Sequence, residues 1–303
     1  MPTLREIKSH IASVSSIAQV TRALELVSTT KHHRLQLRVD STRAFAEKSW
    51  EVLNHLTSAA EDTVRASPLF CGRSPVRRIG MLLITSDRGM VGAYHDNVIA
   101  LATHTLRARA LPAELVTLGK VGREAMLRAG YAIHADFKLD DRADITDLTS
   151  VARVLLDGFA GPDASTGESF DQVLIAYTQF FSGARLQPTI RQLLPVCPHP
   201  GDSGNLREYL YEPKPEELLR ALLPRLIRFQ VYQAFLESLA AENASRMVAM
   251  HAATQNAGNL IANLRLGYNK ARQQAITAEI MDIMGGSNAL VGRGSLEGRE
   301  DAR

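Results

Sequence analysis

The feature that most constrains this sequence is a long stretch without helix breakers, since no proline or glycine occurs between Pro2 and Pro68. Because these two residues end helices more often than any others, their absence favours one long N-terminal helix over residues 1–67. After Pro224 the chain again contains no proline. The sequence therefore predicts a second long helix near the C-terminus, over residues 206–290.

Apolar residues in both segments recur in alternating steps of three and four, which is the spacing of coiled-coil helices. The N-terminal stripe is assigned to Leu4, Ile7, Ile11 and Val14, then Ile17, Val20, Leu24 and Val27, then Phe45, Val52, Leu56 and Ala59. The C-terminal stripe is assigned to Met247, Met250, Thr254, Ala257, Ile261, Leu264, Tyr268, Ala271 and Ala275. Neither helix can bury its stripe alone, so we expect the two to pack as an antiparallel coiled coil.

The segment between these helices has the alternation of an α/β domain. The runs "RIGMLLITSD", "ELVTLG" and "DQVLIAYTQF" predict buried strands, and "RLQPTIRQLLPV" predicts an edge strand that tolerates proline. Helical patterns occur at "HDNVIALATHTLRARA", "KVGREAMLRAG" and "ITDLTSVARVLLDGFA". The predicted fold class is α/β, with a Rossmann-like central domain, residues 75–200, inserted between the two terminal helices. Residues 291–303 contain three glycines and mixed charge and are predicted to be a disordered tail.

Composition argues against several classes of function. A net charge of +3 over 303 residues is too weak for a dedicated nucleic-acid binder, and 6% aromatic residues offer no stacking platform for single strands. No apolar run approaches the roughly 20 residues of a membrane span, and the N-terminus has no signal-peptide pattern. We therefore expect a soluble cytoplasmic chain that does not bind nucleic acid.

Motifs that carry bond chemistry are missing from the sequence. There is no GxxxxGK[ST], no GxGxxG after a strand and no HExxH. The adjacent His32 and His33 would face different sides of a helix, which makes a shared metal ion a poor interpretation. The loop "SDRGMVGAY", residues 86–94, lies between a strand and a helix, where α/β folds place ligands. It is either a structural turn or a contact with a ligand or partner. No catalytic residue, metal or cofactor is predicted.

Charge and hydropathy change along the predicted coiled coil. The N-terminal segment "KHHRLQLRVDSTR" has four basic residues and one acidic residue, and no acidic residue occurs between Asn243 and Ala278. These bases form either a solvated face or a surface that meets acidic loops of a protein partner. The helix then becomes apolar at Ile276, Ile280, Ile283 and Met284. An exposed apolar helix end favours aggregation unless another molecule surrounds it.

Several of these segments resemble the gamma subunit family of F-type ATP synthases. The similar segments are "LREIKSHIASVSSIAQVTRALELVSTTK", "ITSDRGMVGAYHDN", the run that starts at "YLYEPKPEELLRALL", and "YNKARQQAITAEIMDIMGG". The resemblance spans residues 3–290 in order. It implies a central rotor shaft, one copy per complex, inside a ring of three alpha and three beta subunits. It also implies an epsilon subunit partner, a foot on the membrane c-subunit ring, and a peripheral position on the cytoplasmic face of the bacterial inner membrane.

The resemblance also implies roles for individual residues. Contacts with the beta subunits would come from Lys31, Asp87, Arg88, Val91, Arg246, Arg272, Gln273, Thr277 and Glu279. The apolar tip, Ile276, Ile280, Ile283 and Met284, would turn in a hydrophobic sleeve at the top of the ring of alpha and beta subunits. Tyr209, Tyr211 and Glu212 would form the foot on the c ring. The shaft would couple ion-driven rotation to ATP synthesis or hydrolysis without a catalytic site of its own.

Three features of the sequence depart from the family pattern. The loop reads "GMVGA" where the family commonly has "GLCGG", "STTKHHR" replaces an alanine-rich basic stretch, and the chain continues after Leu290. The cysteine insert of the chloroplast type is not seen, which indicates a bacterial enzyme without a thiol switch. The alternatives are a shaft paralogue from an unusual ATPase and a coiled-coil scaffold protein.

Overall fold

The structure is a computed structural model that describes residues 3–59, 68–160, 169–182, 185–196, 212 and 214–300. Its helices are α1 (Leu4–Ala59), α2 (Pro68–Cys71), α3 (Tyr94–Arg109), α4 (Lys120–Arg128), α5 (Thr149–Ala160) and α6 (Pro215–Glu300). The chain divides into two compact units. The first, the coiled-coil unit, combines Met1–Leu24 with Met250–Arg303, and the second, the α/β unit, is Glu25–Ala249.

The α/β unit is built on one five-stranded sheet in the order β3-β2-β1-β4-β5. Its strands are β1 (Ile79–Ile84), β2 (Ala113–Leu118), β3 (Ala132–Phe137), β4 (Gln172–Ser182) and β5 (Arg185–Leu194). The strands β3, β2, β1 and β4 run parallel, and β5 pairs antiparallel with β4. The predicted edge strand is therefore confirmed, and its Pro188 lies opposite Thr178. A further strand, β3, was not predicted.

Two hydrophobic layers cover the faces of the sheet. Met81 and Leu83 point to one face, where they pack with Val98 of α3 and Met126 of α4. On the other face, the buried residues of β1 and β4 pack with α5 and with the long helices α1 and α6. Because the strands alternate their side chains between these two layers, both faces of the parallel sheet are buried. This is the arrangement expected for the predicted α/β fold class.

The long helices run antiparallel where they cover the sheet. His32 Nδ1 lies 3.2 Å from the Ala240 carbonyl oxygen, and Arg38 Nη2 donates to the Tyr232 hydroxyl at 2.8 Å. Residue numbers thus rise along α1 while they fall along α6, as the sequence predicts. Within the coiled-coil unit, the hydroxyl groups of Thr21 and Thr254 lie 2.8 Å apart.

The predicted stripe is correct on α6 but only partly correct on α1. On α6, the half-buried or buried positions include Met250, Thr254, Ala257, Ile261, Leu264, Tyr268 and Ala271, while Ala275 is exposed. On α1, the first four assigned residues are half-buried, but Ile17, Val20, Val27, Phe45 and Val52 are all at least half exposed. The seam instead continues through Ala18, Thr21, Ser28, His32, Leu35 and Val39. It keeps its three-four period, but Thr21, Ser28 and His32 are polar, and a search for apolar residues misses them. Leu35 and Val39 are apolar and buried, and the prediction did not assign them.

The ends of the long helices also differ from the prediction. Helix α1 is described as far as Ala59, and residues 60–67 lie outside the described residues. Helix α6 begins at Pro215 and continues to Glu300, so the prediction of a disordered tail from residue 291 differs from the structure. No proline follows Pro224, and each glycine weakens a helix by only about 1 kcal/mol. Among the described residues, no helix is long and apolar enough to cross a membrane.

Candidate functional site

A cleft of about 940 Å³ lies at the carboxyl ends of the parallel strands in the α/β unit. Four residues that the resemblance implies as partner contacts line it together: Lys31, Asp87, Arg88 and Arg246. They come from α1, the loop after β1 and helix α6, which are far apart in the sequence. The carboxyl end of the sheet is the edge at which α/β folds place ligands and contacts. We call this the carboxyl-edge cleft.

Most basic side chains in this cleft are paired with carboxylates. Lys31 Nζ lies 2.5 Å from Asp141, and Arg246 Nη2 lies 2.6 Å from Glu242 one helical turn earlier. Arg88 is exposed, and within the described part of the chain no carboxylate lies within salt-bridge distance of it. Among the basic side chains that the structure describes in this cleft, Arg88 is therefore the one without an ion pair.

The loop over residues 86–93 is braced from several directions. The Ser86 hydroxyl donates to the Arg88 carbonyl oxygen at 3.0 Å, and His95 Nε2 lies 3.2 Å from both the Ser86 hydroxyl and that carbonyl oxygen. The buried Tyr94 hydroxyl lies 2.6 Å from Ser238 Oγ on α6. Burial raises the pKa of Tyr94, and the nearby Glu242 raises it further, so the hydroxyl stays neutral and keeps this contact. The loop is thus held against α6.

Neighbouring residues at the tip of this loop face opposite ways. Met90 adopts a φ of 62° and is 64% exposed, whereas Val91 is 2% exposed and packs against Tyr94 and Ala241. Gly92 also has a positive φ of 58°. Val91 therefore anchors the loop, whereas the apolar side chain of Met90 lies on its exposed surface. The sequence pattern did not single out Met90.

Asp87 has a structural contact that the sequence interpretation missed. Its Oδ1 accepts a hydrogen bond of 2.9 Å from the backbone N–H of Lys120, which is the first residue of α4. The N-cap residue of this helix, Gly119, provides no side-chain cap. The first backbone N–H groups of a helix have no partner within that helix, and an aspartate there also favours the helix dipole. Asp87 thus caps α4 from the neighbouring loop.

We expect Asp87→Ala to lower the free energy of unfolding of the isolated chain by about 1 kcal/mol, the usual cost of a lost helix cap. Asp87→Asn should lose much less, because its side-chain oxygen can still accept from Lys120. Urea denaturation of the three proteins measures the difference. Equal losses in both variants would mean that the charge, rather than the cap, stabilises this loop.

The remaining predicted contacts with a partner lie on α6 in the coiled-coil unit. Arg272, Gln273, Thr277 and Glu279 are all exposed, and the Thr277 hydroxyl donates to the Gln273 carbonyl oxygen at 2.9 Å. The seam positions end at Ala271, and every described side chain from Arg272 to Gly285 is exposed. This stretch is therefore a free polar and apolar surface within its unit.

The predicted apolar tip is exposed in the same stretch. The exposed fractions are 46% for Ile276, 51% for Ile280, 66% for Ile283 and 58% for Met284. Met281, which the sequence analysis did not assign, is also exposed. Exposed apolar side chains on successive turns of one helix are typical of a surface that another molecule covers.

The predicted foot can be placed only in part. Tyr209 and Tyr211 lie outside the described residues, while Glu212 is exposed.

His32 is buried against the Phe180 ring and the Ala240 carbonyl oxygen. No group of three or more His, Cys, Asp or Glu side chains suited to a metal ion occurs in the described part of the chain.

Comparison with known proteins identifies the class of molecule. A family model described as ATP synthase matches residues 3–290. The ATP synthase gamma chain of Dehalococcoides mccartyi (strain CBDB1) is 41% identical over 291 residues, which cover 96% of this chain and 100% of the relative. The ATP synthase gamma chain of Roseiflexus castenholzii is 38% identical and covers 96% of this chain and 99% of the relative.

A solved structure has the same fold at lower sequence identity. It is a chain of the Euglena gracilis mitochondrial ATP synthase OSCP/F1/c-ring assembly, with a TM-score of 0.65 and 17% identity, covering 95% of this chain and 94% of that one. The solved structure shows the fold, and the family model and the relatives define the class as an ATP synthase subunit. The chain belongs to the ATP synthase gamma chain family. It is thus a subunit of an enzyme complex, and these relatives give no support to the paralogue and scaffold alternatives.

Proposed function

We propose that the chain is the central rotor shaft of an F-type ATP synthase, present in one copy per complex. Family membership over residues 3–290 carries this proposal. The partners would be a ring of three alpha and three beta subunits, an epsilon subunit and a ring of membrane c subunits. The chain would lie on the cytoplasmic face of a bacterial inner membrane as a peripheral subunit and would carry out no bond chemistry itself.

The mechanism follows from a mismatch of symmetry. One shaft inside a threefold ring cannot contact three catalytic subunits in the same way. A contact shifts a conformational equilibrium only when it differs between the states, so each beta subunit is biased toward a different nucleotide affinity. Rotation driven by ion flow would drive ATP synthesis and release. ATP hydrolysis would turn the shaft in reverse and pump ions.

Two surfaces fit contacts with the beta subunits. The first is the carboxyl-edge cleft with its loop, where Arg88 and Met90 are exposed and Val91 holds the loop on α6. The second is the exposed stretch of α6 that carries Arg272, Gln273, Thr277 and Glu279. Exposed charged contacts contribute only about 0.2–1 kcal/mol each. Weak contacts of this kind suit a shaft that must form and break them in every turn.

The apolar end of α6 fits a bearing. Its side chains Ile276, Ile280, Ile283 and Met284 are about half exposed or more. A hydrophobic sleeve that encloses them would remove apolar surface from water without fixing a rotational position. Tyr209, Tyr211 and Glu212 would form the foot that contacts the c ring.

Co-expression with alpha and beta subunits from the same genome tests the shaft role. Native mass spectrometry should find one copy of this chain with three alpha and three beta subunits, and ATP turnover should be well above that of a complex without the chain. A different stoichiometry, or a chain that stays separate, would contradict the proposal.

We expect the double variant Arg272→Ala/Gln273→Ala to lower coupled ATP turnover by about two- to thirtyfold. This range corresponds to the loss of two contacts of about 0.2–1 kcal/mol each. Both side chains are exposed, so the isolated chain should keep its stability. Turnover is measured in the assembled complex, with Asn263→Ala, another exposed polar residue of α6, as the control. Wild-type turnover in the double variant would remove these residues from the proposed contact.

A further inference from the structure

Glu237 is a carboxyl group buried on the sheet-facing side of α6, with 1% of its surface exposed. Its Oε1 accepts from Gln233 Nε2 at 3.2 Å, one helical turn earlier. Its Oε2 has no hydrogen-bond partner among the described residues. Burying a carboxylate with incomplete hydrogen bonding is costly, so the folded chain favours the neutral acid.

Charged and polar groups face this carboxyl group from three other elements. Arg191 lies on β5, Arg43 on α1, and Tyr177 and the backbone N–H of Phe180 on β4. Burial raises the pKa of Glu237, and this effect outweighs the opposing effects of Arg191, Gln233, Arg43 and the Phe180 N–H. Burial, followed by the charge of Glu237, also raises the pKa of Tyr177, which therefore stays neutral.

Phe180, a neighbour of this carboxyl group, is where α1, α6 and strand β4 meet. Arg43 Nη2 on α1 donates to the Phe180 carbonyl oxygen at 3.0 Å. The His32 ring, also on α1, packs edge-on against the Phe180 ring with 5.3 Å between centroids. His32 Nδ1 in turn lies 3.2 Å from the Ala240 carbonyl oxygen on α6. The two long helices are therefore joined to each other and to the sheet around one buried side chain.

We propose that Glu237 is a positioning residue that, in its protonated form, holds α1 and α6 on strand β4 and lets the helices and the sheet turn as one body. This inference rests on the proposed shaft function, because a shaft must carry torque through this junction. Ionisation would place a charge with an unpaired oxygen inside the junction. The packing between helices and strand would then open more easily.

The direction of the pH dependence follows from proton binding. Unfolded Glu237 ionises near the ordinary glutamate pKa of about 4.3, and the folded group ionises at a higher pH. Between these two values the folded chain binds more protons than the unfolded chain. The stability that the neutral acid contributes is thus complete below about pH 4.3 and is lost as the pH rises through the folded pKa. Glu237→Gln removes this titration and keeps the size and the acceptor oxygen of the side chain.

Amide hydrogen exchange on β4 of the full chain is the first test. At each pH, the opening constants of wild type and Glu237→Gln are compared, so that the intrinsic exchange rate cancels. We expect their ratio to rise with pH, approaching about tenfold per pH unit between the two pKa values. Glu217→Gln, an exposed glutamate on the same helix, should follow wild type. A ratio that does not change with pH would overturn the proposal.

The ratio of ATP-driven ion pumping to ATP hydrolysis in the membrane-embedded complex is the second test. In wild type and in Glu217→Gln this ratio should fall relative to Glu237→Gln as the pH rises. Equal ratios in all three complexes, despite pH-dependent exchange on β4, would overturn the role of Glu237 in carrying torque. A chain that fails to enter the complex would contradict the proposed shaft function instead, while the exchange experiment would still decide whether Glu237 controls the junction.

Discussion

Ile280→Asp is expected to abolish most coupled ATP turnover in the assembled complex while leaving the isolated chain folded. In the chain alone, Ile280 is 51% exposed, so a carboxylate there stays in water. In the proposed bearing, the same carboxylate would lie in an apolar sleeve without a partner. Burying an ionised group in this way costs at least several kcal/mol. Measured as ATP turnover and as the amount of complex recovered, the loss should be at least about 100-fold, which corresponds to about 2.8 kcal/mol.

Leu266→Asp provides the matched control for this experiment. Leu266 lies on the same helix and is 70% exposed, but it precedes the apolar tip. Both variants introduce one carboxylate into α6 and should change the thermal stability of the isolated chain by similarly small amounts. Equal activity losses in the two variants would indicate a general effect of charge on the shaft, and normal activity of Ile280→Asp would mean that no sleeve encloses the tip.

The sheet was predictable where its strands are buried on both faces. Strand β1 is a continuous apolar run, and all six of its residues are buried. Strand β3, in contrast, lies at the edge of the sheet with exposed and half-buried residues in alternation, and includes His134 and Asp136. A strand of this kind has too few apolar residues to stand out from a loop. The prediction therefore found the centre of the sheet and missed one edge.

The coiled-coil seam shows a different limit of sequence interpretation. Apolar residues at Ile17, Val20 and Val27 suggested a stripe that the structure leaves exposed. The true seam passes through Thr21, which reaches the Thr254 hydroxyl group, and through the buried Ser28. A polar residue such as Thr21 can occupy a seam when its hydroxyl group finds a partner across it. That partner is a property of two helices, so it cannot be inferred from one.

The residues of the candidate site could be predicted mainly from the resemblance of the sequence to a known family. The loop after β1 stood out because two glycines and two charges follow a buried strand. The residues that hold this loop, Tyr94 and Ser238, lie far apart in the sequence, and their contact arises only when α6 packs on the sheet. Glu237 left a weaker signal, a single acid in the apolar run "QVYQAFLESLAA". Its burial depends on the tertiary fold.

Of three glycine-to-alanine substitutions, Gly119→Ala, beside the carboxyl-edge cleft, is expected to lower the free energy of unfolding most. Gly119 has a φ of 97°, and a Cβ atom there would lie 2.6 Å from the backbone oxygen of Thr85. Thr85 cannot easily move, since its backbone N–H and its hydroxyl both donate to the Leu118 carbonyl oxygen and its hydroxyl accepts from the Gly122 N–H. Backbone strain of this kind costs about 1–3 kcal/mol, and the steric conflict with fixed backbone adds about 1–3 kcal/mol.

Two other glycines separate these contributions. Gly130 has a φ of 86° with open space around it, so Gly130→Ala should lose only the strain of about 1–3 kcal/mol. Gly89 has neither a positive φ nor a neighbour within 4 Å, and Gly89→Ala should leave stability within about 0.5 kcal/mol of wild type or raise it slightly. Urea denaturation of the three variants should rank their losses as Gly119, then Gly130, then Gly89. A Gly119 variant as stable as the Gly130 variant would mean that β1 and α4 can separate at Thr85, and that the cleft is less rigid than its hydrogen bonds indicate.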